Sequence, residues 1–114
     1  PSDDVLEAIE RWRLSWEAND IDAYLSNYHS AFTDTKRGLS EWTAYKTGVN
    51  KTKSFIEVKL SNMSVIDYPG EENLVAVRFY QRYRSSNHDW QGWKHLLWRR
   101  DEAATWRILY EGNG

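Results

Sequence analysis

The chain has no cysteine among its 114 residues. Disulfide bonds, thiol nucleophiles and thiolate metal sites are therefore excluded. It also has no apolar run near the roughly 18 residues that a membrane-spanning helix needs, so no membrane insertion is expected. Basic residues are not in excess either, because the formal net charge is −2. A nucleic-acid-binding surface is therefore not expected.

Aromatic residues, in contrast, are abundant, with seven Trp, seven Tyr and three Phe. Large rings each bury much surface, so a chain of this length can build a substantial core as one domain. The chain starts without an initiator methionine and without a recognisable signal peptide. We therefore expect residues 1–114 to form a single domain that was cut from a longer chain or processed.

The first half of the chain has helical periodicity. Val5, Ile9, Trp12 and Trp16 recur at spacings of four, three and four, which predicts one amphipathic helix. Asn19 or Asp20 is predicted to cap a second, short helix, with Ile21, Tyr24, Leu25 and Tyr28 on its inner face. Ser40 is predicted to cap a third helix, with Trp42, Tyr45 and Val49 facing inward.

From residue 53 the hydrophobic period changes to two, which is typical of strands. Four segments show it: "SFIEVKL", "NLVAVRFYQRYR", "WQGWKHLLWRR" and "TWRILYE". Three helices followed by four long strands predict an α+β fold, with the helices packed on one face of an antiparallel sheet. One strand face carries Val75, Val77, Phe79, Gln81 and Tyr83.

An ordered set of short motifs resembles a known domain. The motifs are "W..SW...D.DAYLS.Y...F", "G.SEW", "V.F.Q.Y.S", "K.L" and "WRI..E", which together cover residues 5–111. The set resembles the accessory domain that follows the catalytic domain of many bacterial L,D-transpeptidases. That domain has the nuclear transport factor two-like (SnoaL-like) fold, a cone of three helices wrapped in a curved sheet of four long strands and a short one. The resemblance implies a periplasmic or cell-envelope location.

Gln81 is the most informative polar residue, because a carboxamide on an apolar face costs about 1–3 kcal/mol unless it finds partners. If Asn87 and His88 are the central residues of the hairpin, Gln81 lies opposite Lys94 on the same face. A slip of one residue would turn Lys94 outward and bring in His95.

These residues predict a ligand-binding pocket in the cone for an anionic or amide-bearing small molecule. Two alternatives stay open. The polar residues can form an internal hydrogen-bond network with Lys94 reaching solvent, and the rings can simply pack the core. The predicted pocket residues are Gln81, Tyr83 and Lys94 from the strand pattern. The resemblance adds Tyr28 and Trp42, which lie toward helix ends where the cone opens in relatives.

No metal or cofactor site is expected, because His29, His88 and His95 have no metal-like spacing. No catalytic residue is predicted either. Asp20 occupies a capping position, and Asp34 and Asp89 are expected to be solvated. Glu111 lies out of phase with Trp106, Ile108 and Tyr110, so it should face away from them unless the strand bulges. The lack of an acid on the apolar strand faces argues against proton-transfer catalysis.

The outer sheet face carries Arg78, Tyr80, Arg82 and Arg84, which form either a solvated face or a protein interface. A homodimer through Arg78, Tyr80 and Arg82 is one prediction. Fold alone does not choose the function. By resemblance, the domain is expected to be a non-catalytic accessory domain of an envelope protein that binds a peptidoglycan fragment or a partner protein. The alternatives are a small acid–base enzyme of the isomerase or dehydratase type, and a dimerisation module.

Overall fold

The computed structural model describes residues 2–114, and of Ser2 only the backbone. Three helices precede or interrupt a sheet of five strands in the order β1-β5-β4-β3-β2. All neighbouring strands are antiparallel except β1 and β5, which are parallel. The predicted α+β fold is confirmed. The helices are α1 (Ser2–Glu17), α2 (Ile21–Leu25) and α3 (Leu39–Asn50), and the strands are β1 (Tyr28–Thr33), β2 (Ile56–Tyr68), β3 (Glu71–Ser85), β4 (Asp89–Arg100) and β5 (Trp106–Asn113).

The core lies between α1 and the inner face of the sheet. The predicted stripe on α1 is buried, and the ring of Trp12 lies 6.0 Å from that of Phe79 on β3. The inner face of β3 is buried along its length, as the alternating pattern predicts. Within residues 2–114, no helix combines the length and apolarity needed to cross a membrane.

Helix α2 is capped as expected but ends earlier. The side chain of Asp20 accepts a hydrogen bond from the backbone N–H of Ala23 at 3.2 Å. The helix stops because the Asn27 amide donates to the carbonyls of Ala23 and Tyr24. Tyr28 therefore begins strand β1, and its predicted place on the helix is wrong.

Helix α3 differs from the prediction in its cap and its buried face. Its N-cap is Gly38 and not Ser40, and the Glu41 carboxylate accepts the Gly38 N–H at 3.0 Å. The buried positions are spaced by four residues and include two polar side chains, whereas Tyr45 is 45% exposed. These positions are Trp42, Lys46 and Asn50.

The β3–β4 register is shifted by two residues from the predicted one. Ser86 and Asn87 form the centre of the turn, because the Ser85 N–H donates to the His88 carbonyl at 2.9 Å. Lys94 therefore pairs with Phe79, and Gln81 pairs with Gly92. The predicted Gln81–Lys94 pairing is wrong. A shift of two preserves the face, so both side chains still point into the cone.

A bulge in β5 decides where Glu111 lies. Leu97 pairs with Tyr110 and Trp98 pairs with Ile108, which leaves Leu109 as an extra residue. The bulge turns Glu111 into the cone, where only 5% of it is exposed. The expectation that the inner strand faces carry no acid is therefore wrong.

Candidate functional site

Glu111 is the centre of a buried polar network. Its Oε1 accepts a hydrogen bond from the Tyr28 hydroxyl at 2.7 Å, and its Oε2 accepts one from Lys94 Nζ at 2.7 Å. The three residues come from β5, β1 and β4, so the network joins the short strand to the centre of the sheet. Both carboxylate oxygens of Glu111 are thereby engaged.

Two further groups extend the network beneath the cone. Trp12 Nε1 donates to the Tyr28 hydroxyl at 3.1 Å, and the hydroxyls of Tyr24 and Tyr28 lie 2.9 Å apart. Burial raises the pKa of Tyr24 and of Tyr28 well above the ordinary value, and the negative charge of Glu111 adds to this effect. Both hydroxyls therefore stay protonated and support Glu111 from below.

Lys46 on α3 is a largely buried lysine whose ammonium group has no anionic partner among the described residues. Only 9% of the residue is exposed, and Nζ lies 4.8 Å from the ring centre of Trp16, 5.6 Å from that of Trp42 and 5.7 Å from that of Tyr24. No carboxylate or carbonyl in residues 2–114 accepts a hydrogen bond from Nζ. Cation–π contacts with these rings are its main attraction.

The surroundings of Lys46 disfavour its charge. Burial lowers the pKa of Lys46 to about 8. The carboxylate of Glu111 opposes this effect, while the positive charges of Lys94, Lys53 and Arg37 strengthen it. Lys46 is therefore a charged group that the protein alone does not compensate.

Lys46, Lys94 and Glu111 line a cleft at the mouth of the cone, which we call the mouth cleft. It has two adjoining lobes of about 210 and 460 Å³, which share Tyr45, Lys46, Lys94 and Asn113. The smaller, aromatic lobe is lined by residues that include Trp16, Gln81, Tyr83 and Trp90. The larger, polar lobe is lined by residues that include Asp34, Lys36, Arg37, Trp42 and Glu111.

Positive charge collects in the mouth cleft of a chain whose net charge is −2. Its walls carry five cations and two carboxylates, an excess of three positive charges. Both carboxylates are already paired, Glu111 with Lys94 and Asp34 with Arg37, the latter pair at 2.9 Å. A cleft with this charge excess attracts anions. The five cations are Lys36, Arg37, Lys46, Lys53 and Lys94.

Several polar atoms around the cleft have no hydrogen-bond partner in the described part of the chain. They are Oε1 of Gln81 and the indole N–H groups of Trp16 and Trp42. Each buried polar group left unpaired costs about 1–3 kcal/mol. Four further buried polar atoms of the described residues, in Asn50, Trp98 and Trp106, are also unpaired, so this feature is not confined to the cleft.

The family of the chain follows from a match over nearly its whole length. The family model of the Cds6 C-terminal NTF2-like domain matches residues 4–112. The chain belongs to this NTF2-like family. No curated protein matches the chain.

Solved structures resemble this NTF2-like domain closely. Bd1075 of Bdellovibrio bacteriovorus has a TM-score of 0.86 at 24% identity and covers 98% of this chain. A variant of the helical cell shape determining protein Pgp2 from Campylobacter jejuni has a TM-score of 0.85 at 26% identity and covers 95%. The chain spans only 39% of each of these two proteins. An NTF2-like protein of unknown function from Shewanella oneidensis has a TM-score of 0.79 at 19% identity, covering 97% of this chain and 96% of that protein.

Four of the five predicted pocket residues of the NTF2-like domain lie on the mouth cleft: Trp42, Gln81, Tyr83 and Lys94. Tyr28 lies one layer below and reaches the cleft only through Glu111. Sequence reasoning missed Lys46 and Glu111. Lys46 could have been predicted, because it lies one helical turn after Trp42 and therefore on the same face of α3. The inward position of Glu111 could not, because no sequence feature marks the bulge.

Other regions of the NTF2-like domain fit a site less well. A cleft of about 560 Å³ lies at the β2–β3 turn, at the other end of β3, and Glu71, Glu72 and Arg100 are among its residues. Its acids are exposed, and Arg100 already donates to Asn73 at 3.0 Å, so no buried charge there lacks a partner. Across residues 2–114, no three His, Asp or Glu side chains are grouped to hold a metal ion.

Proposed function

We propose that this chain is a non-catalytic accessory domain of a bacterial cell-envelope protein, and that it binds an anionic ligand in the mouth cleft. The ligand is a peptidoglycan fragment or a segment of a partner protein. The observation that carries the proposal is Lys46, a residue that is 9% exposed and whose ammonium group has no anionic partner in the described chain.

A buried charge without a partner is costly, and buried charges in proteins are normally paired. Lys94, the neighbouring lysine, shows how the same fold compensates such a charge when no ligand is involved, because Glu111 pairs with it at 2.7 Å. The ring of Trp16 lies within 6 Å of both ammonium groups. An anion bound over Trp16 would therefore meet Lys46 directly and Lys94 beside it.

The envelope context rests on the relatives. One solved relative is described as a helical cell shape determining protein, and this chain corresponds to 39% of its length. An accessory domain that recognises part of the cell wall fits such a protein. A periplasmic location follows from the same reasoning and belongs to the proposal.

A second candidate function is acid–base catalysis, which the buried Glu111 favours. A general base must lie within hydrogen-bond reach of the proton that it removes. Glu111 is 5% exposed, and each of its oxygens already accepts a hydrogen bond, one from Tyr28 and one from Lys94. These contacts give Glu111 a structural role, so the binding role explains the geometry better.

Tryptophan fluorescence tests the proposal, because Trp16, Trp42 and Trp90 line the cleft. The probes are a soluble muropeptide with free carboxylates and the same muropeptide with its carboxylates amidated. We expect saturable quenching by the first only, lost in Lys46→Met and kept in Lys59→Met, whose lysine is exposed on β2. Quenching that both variants retain would mean that the muropeptide binds outside the mouth cleft. Chemical turnover of the muropeptide would instead support acid–base catalysis.

A further inference from the structure

The aromatic lobe of the mouth cleft is shaped by a tryptophan that lies over a glycine. Gly92 on β4 faces the inside of the cone, because it pairs with the buried Gln81 on β3. A Cβ atom added at Gly92 would lie only 2.8 Å from Cζ2 and 3.2 Å from Cη2 of Trp90. The six-membered ring of Trp90 therefore fills the space that a side chain at residue 92 would take. Any other residue at this position would force the ring to move.

This arrangement makes Trp90 part of the wall of the aromatic lobe. The residue is only partly buried, and it lines the lobe together with Trp16 and Tyr83. The nearby ammonium group of Lys94 lies 5.9 Å from the Trp90 ring centre, but Glu111 already compensates its charge. What Trp90 offers a ligand is therefore an apolar surface, which suits the face of a ring.

Gln81 supplies a neutral donor beside this surface. Its amide oxygen is shielded in the core, and its amide nitrogen is the end of the side chain that reaches the lobe. Within residues 2–114, no group accepts a hydrogen bond from that nitrogen. A ligand that fills the lobe must therefore bring an oxygen to Nε2 of Gln81, or bury its N–H group unpaired.

Lys46 supplies the charge that the lobe itself does not compensate. Three lysines line the lobe. Lys94 is paired with Glu111 at 2.7 Å, and Lys53 donates to the Ser85 hydroxyl at 3.1 Å. Of the three, Lys46 is the one that has no such partner among the described residues. A single carboxylate therefore matches the free charge of the lobe.

We infer that the aromatic lobe binds a sugar ring that carries a free carboxylate. One face of the ring packs on Trp90, a sugar oxygen accepts a hydrogen bond from Nε2 of Gln81, and the carboxylate lies against Lys46. This inference rests on the proposed function, since it names the part of the ligand that enters the same cleft. The lobe measures about 210 Å³, below the roughly 300 Å³ at which drug-sized sites begin, so a single ring suits it.

Other ligands satisfy only part of the lobe. A phosphate or a short acyclic carboxylate meets Lys46 but leaves the Trp90 surface uncovered. A hydrocarbon ring with a carboxylate covers Trp90 but brings no second oxygen to Nε2 of Gln81. A neutral sugar meets Trp90 and Gln81 but leaves the charge of Lys46 uncompensated. An acidic sugar combines all three features.

The test compares three probes on the 114-residue chain by ¹⁵N–¹H NMR titration. The first is N-acetylmuramic acid, which has a sugar ring and a free carboxylate. The second is N-acetylglucosamine, which has the same ring without the carboxylate. The third is 2-methoxypropionate, which is the carboxylate arm of the first probe without the ring. The variants are Gly92→Ala, Trp90→Leu, Gln81→Leu, Lys46→Met and, as a matched control, Gly48→Ala, whose added Cβ would meet no atom within 4 Å.

We expect N-acetylmuramic acid to bind at least about fivefold more tightly than either other probe, because it contacts Trp90, Gln81 and Lys46 together. Gly92→Ala and Trp90→Leu should remove its advantage over 2-methoxypropionate, whereas Gly48→Ala should preserve it. Gln81→Leu should weaken the two sugars only, and Lys46→Met the two acids only. The amide spectrum of each variant checks its fold, and Trp90→Leu tests the ring contact if Gly92→Ala does not fold.

Three results overturn the inference. Equal affinity for N-acetylmuramic acid and 2-methoxypropionate, with both lost in Lys46→Met, means that the cleft binds carboxylates without recognising a ring; the proposed function then stands and this inference fails. An advantage of N-acetylmuramic acid that survives in folded Trp90→Leu means that the ring does not lie on Trp90, with the same consequence. Binding that is indifferent to Lys46→Met, or no binding of any probe, removes both.

Discussion

At the scale of single residues, two lysines share the mouth of the cone, and within residues 2–114 only Lys94 has an anionic partner. Lys94 is paired with Glu111, whereas Lys46 rests among rings. Because the network of Glu111, Tyr28 and Tyr24 is complete without a ligand, it holds the site in place. The positive charge of Lys46 is the one that a ligand must compensate.

Replacing Lys46 by methionine should stabilise the unliganded protein at pH 7 by about 1–3 kcal/mol. The change removes an uncompensated buried charge, and the lost cation–π contacts offset part of the gain. Urea unfolding of Lys46→Met against the wild type and Lys59→Met measures it. A variant less stable than the wild type would show that the cation–π contacts with the rings outweigh the cost of burying the charge.

The same residue predicts how stability changes with pH. The pKa of Lys46 is about 8 in the folded protein, below its ordinary value, so above pH 8 the unfolded chain binds more protons. Wild-type stability should therefore rise between about pH 8 and 9.5, before the tyrosines ionise. The Lys46→Met variant should lack this rise. A decrease over this range in the wild type alone would contradict the assigned sign.

Glu111→Gln should destabilise the protein by about 3–5 kcal/mol, because it leaves Lys94 buried without its partner. The control is Glu57→Gln, which breaks the exposed Glu57–Arg84 pair at 3.4 Å and should cost no more than about 1 kcal/mol. Thermal unfolding of both variants provides the comparison. Equal losses would mean that Glu111 contributes no more than a surface charge.

At the scale of secondary-structure elements, apolar patterns were predictable and polar exceptions were not. The α1 stripe and the inner face of β3 follow directly from hydrophobic periodicity. On the inner face of α3 the prediction of Trp42 is confirmed, but Lys46 and Asn50 were missed, because hydrophobic patterning assigns such residues to solvent. The effect of the β5 bulge was not predicted, because the strand sequence does not mark the bulge. One extra residue turns every later side chain to the opposite face.

The candidate site was predicted in part for the same reason. Gln81 and Lys94 share a face whether the register is the predicted one or the observed one, because the two differ by an even number of residues. Their direct pairing depended on the turn, which Ser85 fixes by a side-chain bond to the His88 N–H at 3.0 Å. Such local bonds decide a register more finely than the hydrophobic pattern does.

Helix α2 has only five residues and depends on its cap. Asp20→Ala should lower the free energy of unfolding by about 1 kcal/mol, since it removes the side-chain acceptor of the Ala23 N–H. Asp22→Ala, in the first turn without a capping bond, should cost less. Chemical unfolding of the two variants measures the difference, and a larger loss in Asp22→Ala would contradict the assigned cap.

At the scale of the whole molecule, the outer sheet face carries the residues of the predicted homodimer. Arg78 stacks on the Trp93 ring at 4.0 Å, and Tyr80 meets the same ring edge-on at 5.5 Å. Arg82 on the same strand is exposed. The predicted homodimer would pack two copies of this face and bury roughly 1,000 Å² or more in total.

Charge reversal tests the homodimer. In sedimentation equilibrium we expect Arg78→Glu with Arg82→Glu to weaken self-association at least tenfold, because like residues meet across a two-fold interface. Lys51→Glu, an exposed lysine directly after helix α3, serves as the control. A wild-type chain that stays monomeric at high concentration would make the dimer prediction wrong.

The most direct test of the central claim is the pKa of Lys46 itself, followed by ¹³C NMR of labelled lysine side chains with Lys46→Met for assignment. The account predicts a pKa of about 8 in the free protein, and a clear rise when a carboxylate ligand binds and supplies the missing charge. An ordinary lysine pKa that no ligand moves would contradict it, because Lys46 would then be a solvated lysine and the mouth cleft would have no uncompensated charge.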